Sequence, residues 1–76
     1  MVKTRFAVCI NNSEYPASLE VHKIYRVVPD KDAELEGDVR IIDESGEDYL
    51  YPSRYFVEIL VPQETERALM ESYGRM

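Results

Sequence analysis

The chain has 76 residues, with nine lysines and arginines against 15 aspartates and glutamates, a formal charge of −6 and a pI near 4.6. That length allows one domain and leaves no room for both a core and an elaborate active site. A single cysteine, Cys9, excludes an intramolecular disulfide, and Cys9 with the only histidine, His22, is too small a set for a structural zinc site.

No apolar run approaches the ~20 residues that cross a bilayer, and the first ten residues lack the apolar segment and cleavage site of a signal peptide. A cytoplasmic protein with no membrane partner is expected. Charge is unevenly placed: residues 30–48 carry nine carboxylates against Lys31 and Arg40, a net −7, so the rest of the chain is close to neutral. Such a lobe repels phosphate, and it reads as a solvated face that aids solubility.

In chain order, residues 4–10 form a first strand by their aliphatic and aromatic content. Asn11, Asn12, Ser13 and Pro16 break it into a long loop, and strand character resumes over residues 19–28 until Pro29. Asp30 caps one short helical turn over residues 31–36, with Gly37 as its terminator. Asp43, Glu44, Ser45 and Gly46 suit a type I turn closed by a glycine bulge, which pairs Asp43 with Glu47. That register places Ile41 opposite Tyr49 and Val39 opposite Tyr51 on the core face, with Ile42 opposite Asp48 and Arg40 opposite Leu50 on the outer face. Leu50 is thus an apolar residue facing outward. Pro52 ends the pairing, residues 53–55 make one tight turn, and a last strand spans residues 56–61.

Five short strands around one core describe an all-β small barrel of residues 1–61, with residues 62–76 as a short C-terminal helix or tail of the same domain. The run Leu50-Tyr51-Pro52-Ser53-Arg54-Tyr55-Phe56-Val57 resembles the strand, Pro-Ser-x-Tyr turn and final strand of Src-homology-3 domains. Residues 9–12, 19–27 and 43–49 also resemble a set of short bacterial and phage proteins of unknown function. The first resemblance implies that Tyr51 is buried, while Leu50, Pro52 and Tyr55 help line a shallow groove for a peptide. The chain departs from that family in having no tryptophan and in reading Ser13-Glu14-Tyr15-Pro16-Ala17 where the family carries its tyrosine-rich motif, so proline-rich recognition is not expected.

The residues offer little chemistry. His22 reads as a solvated strand residue and Cys9 as a small buried hydrophobe. The pairs Asp43-Glu44 and Glu47-Asp48 flank a turn with no sign of burial, so they make poor general acids, and no glycine-rich phosphate loop is present. No enzyme, cofactor or metal is expected. Tyr25, Tyr49 and Tyr51 fit the core, whereas Tyr15, Tyr55 and Tyr73 do not. Tyr15 and Tyr55 beside Leu50 and Pro52 would form a partner site or a cage for a cationic side chain; alternatively Tyr15 plugs the barrel end. The tail predicts an amphipathic helix over residues 63–73, ending at Gly74, that docks on the open barrel end, docks on another subunit, or does not form stably on its own. The expected function is a non-catalytic interaction module or accessory subunit that binds a protein or peptide. The alternative is a nucleic-acid-associated barrel using Lys3, Arg5, Lys23 and Arg26 with stacking tyrosines.

Overall fold

A computed structural model describes residues 4–74. Strands β1 (Arg5–Cys9) and β2 (Ile24–Val28) are followed by the one-turn helix α1 (Lys31–Leu35) and by β3 (Asp38–Ile42) and β4 (Asp48–Pro52). A 3-10 turn, Ser53–Tyr55, leads into β5 (Phe56–Ile59), and helix α2 (Gln63–Gly74) follows. The strands make one antiparallel sheet in the order β4-β3-β2-β1-β5, an open order whose edges are β4 and β5.

The short elements form for the local reasons their residues imply. Asp30 accepts a hydrogen bond from the Ala33 amide at 3.1 Å and so caps α1, whose single turn ends at Gly37 with a positive φ. At the β3–β4 turn the Gly46 amide donates to the Asp43 carbonyl at 3.0 Å and the Asp43 amide to the Glu47 carbonyl at 3.1 Å. Gly46 sits at φ +83°, a region where a residue without Cβ avoids strain. The register follows: Ile41 faces Tyr49, Val39 faces Tyr51, and Arg40 faces Leu50.

The second strand is shorter than residues 19–28. Both the His22 amide and the Lys23 carbonyl bond to Cys9, at 2.7 and 3.0 Å, so two residues oppose one and the ladder bulges. His22 adopts φ +74° to make this turn and is exposed, so it belongs to a turn and not to a strand. Leu19, just before the turn, is instead fully buried as an anchor for the loop.

The inner face of the sheet forms the core. Alternate residues Ala7 and Cys9, Tyr25 and Val27, Val39 and Ile41 point there with Tyr51, Phe56, Leu19 and Tyr55. The Phe56 ring lies 6.2 Å from both Tyr25 and Tyr51, which brings β4 and β5 residues into one cluster. On the other face Phe6 is fully buried opposite Ile59 and Arg26. In α2, Leu69 and Met70 are half-buried while most of the helix is exposed. The Tyr73 side chain lies outside the described residues.

Candidate functional site

The inner face has two ends, and each opens into a depression. At one end a groove of about 360 Å³ is lined by Tyr15, Ser18, Asp43, Ser45, Tyr49, Leu50 and Tyr51. Its first wall comes from the loop of residues 10–23. There the Tyr15 amide donates to the Asn12 carbonyl at 2.8 Å, and the Leu19 amide donates back to the Tyr15 carbonyl at 3.0 Å. The Asn12 side-chain amide closes the loop onto the Leu19 carbonyl at 2.9 Å. The Ser18 carbonyl then accepts from the Glu44 amide at 3.0 Å, which docks the loop against the β3–β4 turn. The Tyr15 ring stands perpendicular to that of Tyr51, with centroids 4.9 Å apart.

Asp43 joins the two walls. One carboxylate oxygen accepts from the Ser45 amide at 2.8 Å and the Ser45 hydroxyl at 2.5 Å, and the other accepts from the Tyr51 hydroxyl at 2.5 Å. The expectation that the acidic pairs are unburied fails at this residue, because Asp43 is only 5% exposed. Burial pulls its carboxyl upward, but the hydrogen bonds from Ser45 and Tyr51 outweigh this and hold it below the usual carboxylate value. Tyr51 moves the opposite way: burial first and the Asp43 carboxylate second push its phenol up to about 12. The turn that sets the register is also the floor of the groove.

The four residues expected to bind a partner divide. Tyr15, 37% exposed, and Leu50, 45% exposed, line the groove. Pro52 is half-buried, paired with Asp38 at the far end of β4, and is not a lining residue. Tyr55 is a correction: it is 2% exposed, because the 3-10 turn directs its third side chain inward while Ser53 and Arg54 stay out. Its carbonyl accepts from the Ile10 amide at 2.8 Å, its hydroxyl donates to the Glu14 carboxylate, and the Arg54 guanidinium covers the ring at 5.2 Å. The Tyr15 edge meets it at 6.2 Å.

Tyr49 is corrected in the other direction. The register places it on the inner face as expected, yet it is 51% exposed, because the core ends at Ile41 and Tyr51 and the hairpin projects beyond them. Its hydroxyl donates to Glu47 at 3.3 Å. Sequence reasoning therefore missed Asp43, Ser45, Tyr49 and Tyr51 as groove residues. The Tyr-x-Tyr spacing beside an Asp-x-Ser turn was the available signal, since it puts both rings on the side that the turn carboxylate faces.

Comparison with protein-family models, curated proteins and solved structures finds no match to this chain.

At the opposite end a cleft of about 240 Å³ has Ala7, Val27, Val39 and Phe56 among its walls. Arg5 also lines it and pairs with Glu34 of α1 at 2.8 Å and Glu58 of β5 at 2.7 Å. Both carboxyls are held below their ordinary values by that guanidinium. Lys23 is likewise paired, 2.7 Å from Glu44, whose carboxyl is lowered by Lys23 and by the hydroxyl of Tyr25. Of the expected basic face, Arg5 and Lys23 are engaged by carboxylates, Arg26 lies half-buried on the outer face, and Lys3 is outside the described residues. Cys9 is fully buried, donates to the Asn11 carbonyl at 3.4 Å and has its thiol pushed up by burial, the environment of an inert thiol. Among the described residues no group of three or more His, Cys, Asp or Glu is placed to hold a metal, and no helix is long and apolar enough to cross a membrane.

Proposed function

We propose that this chain is a non-catalytic interaction module on a Src-homology-3-like small barrel, and that it binds a segment of another protein in the groove between the first loop and the β3–β4 hairpin. The observation that carries the reading is the groove itself, where the exposed side chains of Tyr15, Tyr49 and Leu50 gather apolar surface at the edge of the core beside buried Tyr51. Support for the barrel comes from chain order: after the three-residue turn β5 pairs with β1, and Tyr51 of β4 packs near Phe56 of β5 across the interior. Support for a protein partner over a nucleic acid comes from the ion pairs that occupy Arg5 and Lys23.

The test is affinity capture with the wild-type chain and with Leu50→Ser, followed by titration of the retained protein. Leu50 is outward-facing, so the variant is expected to melt within about 1 kcal/mol of wild type while binding at least about tenfold more weakly. Retention of nucleic acid with an affinity that falls steeply as salt rises would overturn the reading in favour of the basic surface.

A further inference from the structure

Resting on the reading of the groove as an interaction site, we infer that it receives a cationic side chain, lysine or arginine, presented by the partner protein. The first argument is the distribution of the chain's own cations over its tyrosines. Lys23 lies 5.6 Å from the centre of the Tyr25 ring, and Arg54 lies 5.2 Å from that of Tyr55. The three tyrosines that line the groove, Tyr15, Tyr49 and Tyr51, carry no such cation among the described residues. Aromatic faces bear negative potential, and of the three rings Tyr49 and Tyr15, 51% and 37% exposed, have surface open to a cation, with buried Tyr51 packed against Tyr15 behind them.

The carboxylates add charge at the same place, although Asp32, Glu36 and Asp38 elsewhere on the acidic lobe also lack a cationic partner among the described residues. Glu34 and Glu58 are answered by Arg5, Glu44 by Lys23, and Asp30 and Asp48 by Arg40. Asp43 on the groove floor and Glu47 at its rim have no cationic partner among the described residues; their hydrogen bonds come from Ser45, Tyr51 and Tyr49. Asp43 is held in its ionised form, so the floor is anionic at neutral pH. The molecule also contains its own precedent: in the cleft at the other end, Arg5 lies among Ala7, Val27 and Phe56 with its head between two carboxylates. The groove has the aromatic walls and the charge for such a guest, and a volume at the small end of the ~300–1,000 Å³ range of binding pockets.

The test is an NMR titration of the full chain with acetylated, amidated pentapeptides of glycine and alanine that differ only in a central lysine, arginine or glutamine. The lysine and arginine peptides are expected to shift the ring resonances of Tyr15, Tyr49 and Tyr51 and the amides of residues 43–47, binding at least about tenfold more tightly than the glutamine peptide. Tyr49→Ala and Glu47→Gln, both at exposed positions, are expected to weaken the cationic peptides at least about threefold and to melt close to wild type, with Glu47→Gln leaving the glutamine peptide unchanged. Equal binding of all three peptides overturns the inference, as do cation-induced shifts centred on Asp32 and Glu36 that ignore both variants. If a captured partner competes for the groove through a neutral segment while the cationic peptides do not bind there, the cation inference fails and the interaction reading stands. If the captured partner's affinity is also indifferent to Leu50→Ser and Tyr49→Ala, both fail.

Discussion

The two ends of the inner face are built alike and finished differently. At the α1 end, Arg5 lines the cleft and bridges Glu34 to Glu58, so the chain supplies its own cation to its own carboxylates. At the hairpin end, Asp43 and three tyrosines line a groove that has no lysine or arginine among its lining residues. The lesson is that an acidic surface is informative only after its internal pairs are removed. Asp30, Glu34, Glu44 and Asp48 of the acidic lobe are then accounted for by structure, and of the remainder Asp43 and Glu47 lie beside Tyr49 while Asp32, Glu36 and Asp38 do not.

The largest effect expected sharpens the boundary between core and groove. Tyr51→Ala removes a buried ring and leaves Asp43 without its phenol donor, and should cost about 3–5 kcal/mol in a chemical denaturation curve. The same truncation at Tyr49, two residues away on the same face, should cost less than about 1 kcal/mol, since half of that ring is already in solvent. Equal losses would erase the distinction between a ring that belongs to the core and one that does not.

Next in size is the turn that joins them. Gly46→Val should cost about 1–3 kcal/mol through backbone strain alone, because nothing lies within 4 Å of the added Cβ while φ is +83°. An unchanged melting temperature would show that the hairpin tolerates another turn. His22 provides the counterpart at φ +74°: His22→Gly should be neutral or stabilising by up to about 1 kcal/mol, whereas His22→Val should destabilise.

The turns also show what could be read in advance. Asp-Glu-Ser-Gly dictated the hairpin register, and Asp30 with Gly37 dictated the α1 turn, because both signals are local and each residue has a specific backbone task. The bulge at His22 left no such mark, since a histidine in the left-handed region looks like any strand residue, and the second strand was read too long. Faces were legible by alternation, but depth was not. Period two places Tyr49 with Ile41 and Tyr51 without saying where the core stops, and the 3-10 turn at Ser53–Tyr55 interrupts the alternation, so the strand period does not tell that the turn directs Tyr55 inward. The groove's acid went unseen because the first loop docks beside Asp43 through the Ser18 carbonyl and the Glu44 amide, a contact between distant parts of the chain.

Acid should weaken both ends together. Asp43, Glu44, Glu34, Glu58 and Asp30 all have carboxyls held low by hydrogen bonds or cations. Each therefore contributes stability that is complete above the ordinary carboxylate range and is lost as pH falls through the lowered folded values. The melting temperature should be level from about pH 7 to about pH 5 and then fall steadily below about pH 4. At the alkaline side the sign reverses for Tyr51, pushed up to about 12: its contribution is complete below the ordinary tyrosine value of about 10 and is lost above it.

The smallest stability effect carries the central claim, that one end of the inner face serves the fold and the other serves a partner. The direct measurement is a paired one, melting temperature and affinity for the captured partner, on Arg5→Met and Tyr49→Ala. Arg5→Met frees Glu34 and Glu58 at a partly exposed site and should lower stability by about 0.5–1 kcal/mol, more at low salt, with partner affinity unchanged. Tyr49→Ala should leave the melting temperature close to wild type and reduce affinity at least about tenfold. The account is contradicted if Arg5→Met weakens the partner while Tyr49→Ala does not, because the cleft and not the groove would then be the binding end.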